Sequence, residues 1–169
     1  MQFKIFNNNI ELIGIRQNEN PIGFLDYLRK KYPDLAIQGI KPCFVLSSNH
    51  AKKIIRVSLT AQKDSIMLSN KIETDILMRF ACTKQISDAI QKIGLERKQS
   101  FVLIVIGRKK SIDKLFYEVR DHLKSNLISI KNSTFLKKEF KILKKQLEAV
   151  TSNTPLEDLL AEKAAILFR

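Results

Sequence analysis

The sequence has few of the residues that carry most enzyme chemistry. Its two cysteines, Cys43 and Cys82, lie far apart, form no Cys-x-x-Cys pair and have no histidine at ligand spacing. That usage argues against a disulfide framework and a metal site, and it suits reduced thiols in an intracellular, cytoplasmic protein. Cys82 follows a helical apolar pattern and reads as a small core residue. Of the two histidines, His122 falls on the polar side of its helix beside Asp121 and reads as solvated. His50 sits in the first turn of a helix, where it orients a loop or caps a neighbour. The five glycines are isolated, and the chain contains no HExxH, GxSxG or Walker-type loop. Gly107-Arg108-Lys109-Lys110-Ser111 follows a strand and opens a helix, but it lacks the glycines that let a backbone wrap a phosphate, so it reads as a basic loop. No catalytic residue, cofactor or small-molecule substrate is expected. The longest apolar run, Phe101 to Ile106, is too short to span a bilayer, and the opening residues lack the apolar run of a signal peptide. A soluble protein without a membrane partner is the expectation.

What the sequence has is positive charge. Thirty Lys and Arg stand against 17 Asp and Glu, giving a net charge of +13 and a pI of about 9.8. Cationic side chains release counterions condensed on a phosphate backbone, so a surplus of this size favours a polyanionic partner. A plain solubility surplus is the alternative. With 44% apolar and 28% charged residues the balance is globular, and 169 residues suit a single domain over 1–169.

Periodicity supplies the elements. Phe3, Ile5, Ile10, Leu12 and Ile15 alternate around Asn7-Asn8-Asn9, predicting a hairpin. Pro21 opens a helix that runs to about Tyr32, and Pro33 stops it. A β region spans Ala36 to Leu46, broken at Pro42. Ser47, Ser48 and Asn49 offer N-cap oxygens to a helix reaching about Gln62. Two helices follow in tight succession: Ile72 to about Phe80, then one capped by Thr83 with a stripe of Ile86, Ala89, Ile90 and Ile93, ending at Gly94. Phe101 to Ile106 is apolar at every position and rich in β-branched residues, predicting a central strand buried on both faces. Ser111 caps the next helix, with Ile112, Leu115, Phe116, Val119 and Leu123 inward. A short strand over Leu127–Ile130, a helix over Ser133–Val150 and a final helix from Leu156 complete the expectation.

Two features point toward binding. In the 136–147 stretch Leu136, Phe140, Leu143 and Leu147 share one arc, while Lys137, Lys138, Lys141, Lys144 and Lys145 fill the opposite side. Those lysines repel one another unless an anion relieves them; a solvated face is the alternative. In the last helix Leu156, Leu160, Ala164 and Leu167 mark one line, and Leu159, Ile166 and Phe168 widen it. Such a helix is either central to the core or a docking surface.

The segment from Asn70 to Leu95 carries Gln85-Ile86, Ala89-Ile90 and Lys92-Ile93-Gly94 in a fixed order, followed by an apolar strand. It resembles the kinase-binding small subunit of the KEOPS complex, the PRPK-binding protein family. His50-Ala51 at a helix start and the closing Glu162-Lys163-Ala164-Ala165-Ile166-Leu167 are similar to further family features. The resemblance covers roughly residues 48–123 and the last dozen. It implies a two-layer α+β sandwich, one small mixed sheet against several helices, with no activity of its own. It also implies two partners: the small atypical kinase/ATPase of the complex, and the 3′ CCA end of tRNA, held in support of threonylcarbamoyladenosine formation. Mapped onto the motif, the RNA contacts fall to Lys71, Arg79, Lys84, Gln85 and Lys92, with Gln85 meeting a base edge or capping the turn. Phe80 is either a stacking surface or core. Partner contact falls to Leu159, Ile166, Leu167 and Phe168. Two other readings are a kinase-regulating adaptor without direct tRNA recognition, and an enzyme using His50 with a nearby carboxylate.

Overall fold

A strand's successive side chains point to opposite faces, so a run that is apolar at every position needs cover on both. The computed structural model, which describes residues 1–167, meets this need at β4 (Gln99–Gly107). Strand β2 (Asn8–Asn18) lies on one side of β4 and β3 (Ala36–Ile40) on the other. With β1 (Gln2–Ile5) at the edge, the sheet order is β1-β2-β4-β3. Val102, Ile104 and Ile106 join one buried cluster, and Phe101, Leu103 and Val105 join a second. Each such side chain contributes about 1.5–3 kcal/mol on burial, which makes β4 the spine of the molecule.

The second cluster is covered by α1 (Pro21–Lys31) and α5 (Lys109–Val119). The first is covered by α2 (Ser48–Lys63), α3 (Ile72–Ala81), α4 (Ile86–Ile93), α6 (Ser133–Glu139) and α8 (Pro155–Ala165). A short α7 (Lys144–Ala149) precedes α8. The α+β class is as expected. Within it, all strand pairings are antiparallel where a mixed sheet was expected, and helices lie on both faces of the sheet, which adds a layer to the two foreseen.

Local signals set the starts of α1 and α2. The Asn20 side chain accepts from Gly23 N at 3.0 Å and starts α1 at Pro21, and Ser47 Oγ accepts from His50 N at 3.0 Å to start α2. Four expectations give way. The hairpin turns at Phe6-Asn7, because pairing Ile5 with Asn8 puts Ile5 and Ile10 inward, and Phe6 takes the left-handed conformation (φ 51°). Neither Thr83 nor Ser111 caps a helix: Gln85 and Arg108 hold those positions, and Ser111 instead donates to Asp34. Leu127–Ile130 forms no strand; the open part of that β2 edge beyond β1 is met earlier, by a bridge from Leu123 to Ile15 and by Lys124 N donating to the Gly14 carbonyl. The helix expected over 133–150 breaks at Phe140–Leu143, where Lys141 adopts φ 51° and Ile142 turns inward to join the core.

Candidate nucleic-acid and partner interface

The i,i+4 spacing of Asp75 and Arg79 places them on one face of α3, and that face is internal. Arg79 is only 2% exposed. Its Nε donates to Asp75 Oδ2 at 2.7 Å, and an Nη donates to the Ala164 carbonyl at 2.7 Å. Asp75 Oδ1 in turn accepts from Leu68 N at 2.7 Å. The guanidinium therefore ties the end of α8 to α3 and to the preceding loop. Expected to contact RNA, Arg79 is committed inside the protein.

The other cations of the motif divide by position. Lys71 is exposed at the N-terminus of α3, and Lys84 and Gln85 are exposed at the corner between α3 and α4. Ten helical residues separate them, about 15 Å of rise, so Lys71 does not share the corner. Among the described residues, neither Lys71 nor Lys84 has a carboxylate within ion-pair distance. Gln85 occupies the N-cap position of α4 without a side-chain cap hydrogen bond, so its amide is not used within the turn. Lys92 folds back: its Nζ donates to the Ala81 carbonyl at 3.3 Å, pairs with Glu139 at 2.9 Å and lies 4.7 Å from the centre of the Phe140 ring. It bolts α4 to α3 and α6 while remaining half-buried.

Sequence patterning missed two residues here. Ile86 and Ile90 belong to the stripe of α4, yet they are 45% and 57% exposed, while Ala89 and Ile93 are buried. The four span an arc of about 100°. A helix of eight residues that packs by one edge of such an arc leaves the other edge in solvent. An arc of that width is ordinary for a core-facing stripe, so the sequence carried no signal that one edge would stay in solvent. Phe80, by contrast, is core, with its ring edge-on to His50 at 5.6 Å.

His50 is itself buried. Its Nδ1 accepts from Leu46 N at 3.3 Å, and desolvation lowers its pKa to about 4. It anchors the start of α2. The nearest carboxylate on that side, Glu157, accepts from Ser47 and Asn49 and faces Lys53 at 3.5 Å, while Lys53 also donates to Asp158 at 2.6 Å. These bonds seat the first turn of α8 on the first turn of α2.

Helix α8 is central on one side and open at its end. Leu156, Leu160 and Ala164 are buried against α2, and half-buried Leu159 packs at the margin of the same core. Ile166 is 60% exposed. Ile166 and Leu167 line a cleft of about 360 Å³ with Cys82, Glu139, Phe140, Lys141 and Lys163. Phe168 lies outside the described residues. Burial pushes the Cys82 thiol up to about 11, which keeps it protonated near neutral pH. The fold thus joins two segments about eighty residues apart: Cys82, at the α3 end of the α3–α4 corner, and Ile166 and Leu167, past the end of α8, line one cleft, and Lys92 stands behind it on Glu139 and Phe140.

Residues 17–166, from within β2 to the end of α8, match the family described as kinase binding protein CGI-121. The chain belongs to this family. It is the PRPK-binding family of the KEOPS complex that the Gln85–Gly94 pattern resembles, and its description gives the chain a kinase as partner. No curated protein matches the chain significantly. Membership spans both halves of the site, from Lys71 to Ile166. It leaves out β1 and most of β2, which edge the sheet. Among the described residues no cluster of His, Cys, Asp and Glu could hold a metal ion, and no helix is long and apolar enough to cross a membrane.

Proposed function

We propose that this CGI-121 family member is a non-catalytic, cytoplasmic subunit that holds the 3′ CCA end of tRNA beside the kinase/ATPase of the KEOPS complex and so supports threonylcarbamoyladenosine formation by another subunit. The observation that carries the reading is the α3–α4 corner. Lys84 is without a carboxylate partner, Gln85 has an amide unused in the turn, and Ile86 and Ile90 are exposed beside them. Single-stranded RNA ends are held by cations at phosphates, hydrogen bonds at base edges and apolar surface beneath unstacked bases. Those three components meet at this corner. Lys92 stands at its inner rim, and Lys71, at the far end of α3, lies outside it. Arg79 has no direct part and positions the end of α8 instead.

The kinase contact falls to the end of α8, where Ile166 and Leu167 leave apolar surface uncovered next to the cleft, and Leu159 lies at the edge of the same helix. Interface cores favour such apolar groups over charged ones. The two contacts separate in a paired mutant experiment. Lys84→Glu should weaken tRNA binding and reduce its salt dependence while kinase binding holds, and Ile166→Asp should do the reverse. Interchangeable effects of the two substitutions on the two affinities would contradict the division.

A further inference from the structure

The 131–145 segment carries six lysines against one glutamate, and that glutamate, Glu139, is already paired with Lys92. Lys144 faces Glu148 at 3.5 Å. Among the described residues Lys131, Lys137, Lys138, Lys141 and Lys145 have no ion-pair partner. The sequence alone makes Lys137, Lys138, Lys141, Lys144 and Lys145 one side of a continuous helix; the structure breaks that helix in two. The break at Phe140–Leu143, with Lys141 left-handed, turns one stripe into two short helices and leaves Lys138, Lys141, Lys144 and Lys145 exposed on and between them, with Lys131 exposed just ahead. Lys137 reaches a cleft that it lines with Ile130 and Leu147, and Lys141 reaches the cleft it lines with Lys163 and Ile166. Leu136, Phe140 and Ile142 anchor the segment from beneath. Phe140 and Glu139 both contact Lys92, so the lysine surface begins at the inner rim of the α3–α4 corner.

We infer that the 131–145 lysine surface is a second, sequence-independent contact for an RNA phosphate backbone, continuing from the corner site. The inference rests on the proposal that this protein binds tRNA, and it extends the contact from the RNA's end to its backbone. Composition favours RNA over a protein partner. Interface cores between proteins are depleted in lysine, and charges left unpaired there are costly. Phosphate tracking requires little more than cations at intervals along a surface. Lysine offers point charges rather than the bidentate fork that arginine uses to read a base or grip a carboxylate. Such a surface would add affinity without adding sequence preference.

The test uses the full chain carrying Lys131→Gln, Lys138→Gln and Lys145→Gln, three exposed lysines outside both clefts, after circular dichroism and thermal melting confirm an unchanged fold. Affinity is measured across a salt series for intact tRNA and for the same tRNA lacking its CCA end. The slope of log affinity against log salt should become shallower by about 2–3 for both RNAs alike, because three phosphate contacts are lost in each. An unchanged slope on both RNAs would overturn the inference, as would a loss confined to intact tRNA. So would a loss of kinase affinity with RNA affinity preserved, which would assign the surface to the protein partner. Failure of the end-recognition reading looks different: the unmutated protein would then bind the two RNAs equally, and the triple variant would still report on the lysines.

Discussion

Arg79 shows how a charge in a binding motif can be spent on architecture. Its guanidinium and the Asp75 carboxylate are both buried and bonded, and removing one partner leaves the other charge stranded. Arg79→Met should therefore destabilise the protein by about 3–5 kcal/mol in urea titration, with RNA affinity unchanged under conditions where the variant is folded. A stable variant that had lost RNA binding would return Arg79 to the interface. The helical spacing of Asp75 and Arg79 was legible in the sequence; that the shared face points inward was not, because one α-helix can hide a charge only through contacts made elsewhere, here with Ala164. His50 gives the residue scale a pH signature. Its folded pKa of about 4 lies below the ordinary 6.5, so the unfolded chain binds the proton first. Stability from this group is complete above pH 6.5 and falls as pH drops toward 4, by a total of about 3 kcal/mol. His50→Asn, which keeps an acceptor for Leu46 N, should flatten the fall between pH 6.5 and 5 in denaturation measurements; an identical pH profile would mean that His50 does not titrate as its burial requires.

Among the elements, β4 and α2 were readable because their signals are local and agree: a β-branched run in one, Ser47 ahead of an amphipathic repeat in the other. The 133–150 region was not. Its stripe of Leu136, Phe140, Leu143 and Leu147 fits one helix, but core packing draws Ile142 inward and leaves Leu143 exposed, which a continuous helix cannot do. Leu136→Ala should cost about 2–5 kcal/mol and Leu143→Ala less than about 0.5 kcal/mol in the same unfolding assay. Comparable costs would restore the single helix. Helix α4 errs in the other direction: its stripe is real, but only the Ala89–Ile93 edge finds a core, and the Ile86–Ile90 edge becomes the candidate contact. Ile90→Ser should leave stability within about 0.5 kcal/mol of the parent, as surface changes do, while weakening binding of tRNA with an intact end. A variant that binds as well as the parent would show that the exposed edge touches no base.

For the whole molecule, charge and the absence of motifs bounded the class of function, and the Gln85–Gly94 pattern pointed to the kinase-binding family to which the chain belongs. The sequence does not show that Cys82, at the edge of the α3–α4 corner, and the end of α8 line one cleft. That juxtaposition depends on Arg79, Lys92 and Phe140 acting across α3, α4, α6 and α8 at once. It places the proposed RNA end and the proposed kinase contact as neighbours, so one small protein can present the first to the second. The most direct measurement compares the affinity of the purified protein for tRNA and for tRNA lacking its CCA end, at one low salt concentration. Markedly weaker binding of the shortened RNA is the predicted result; equal affinity for both, or no binding of either, would contradict recognition of the 3′ end.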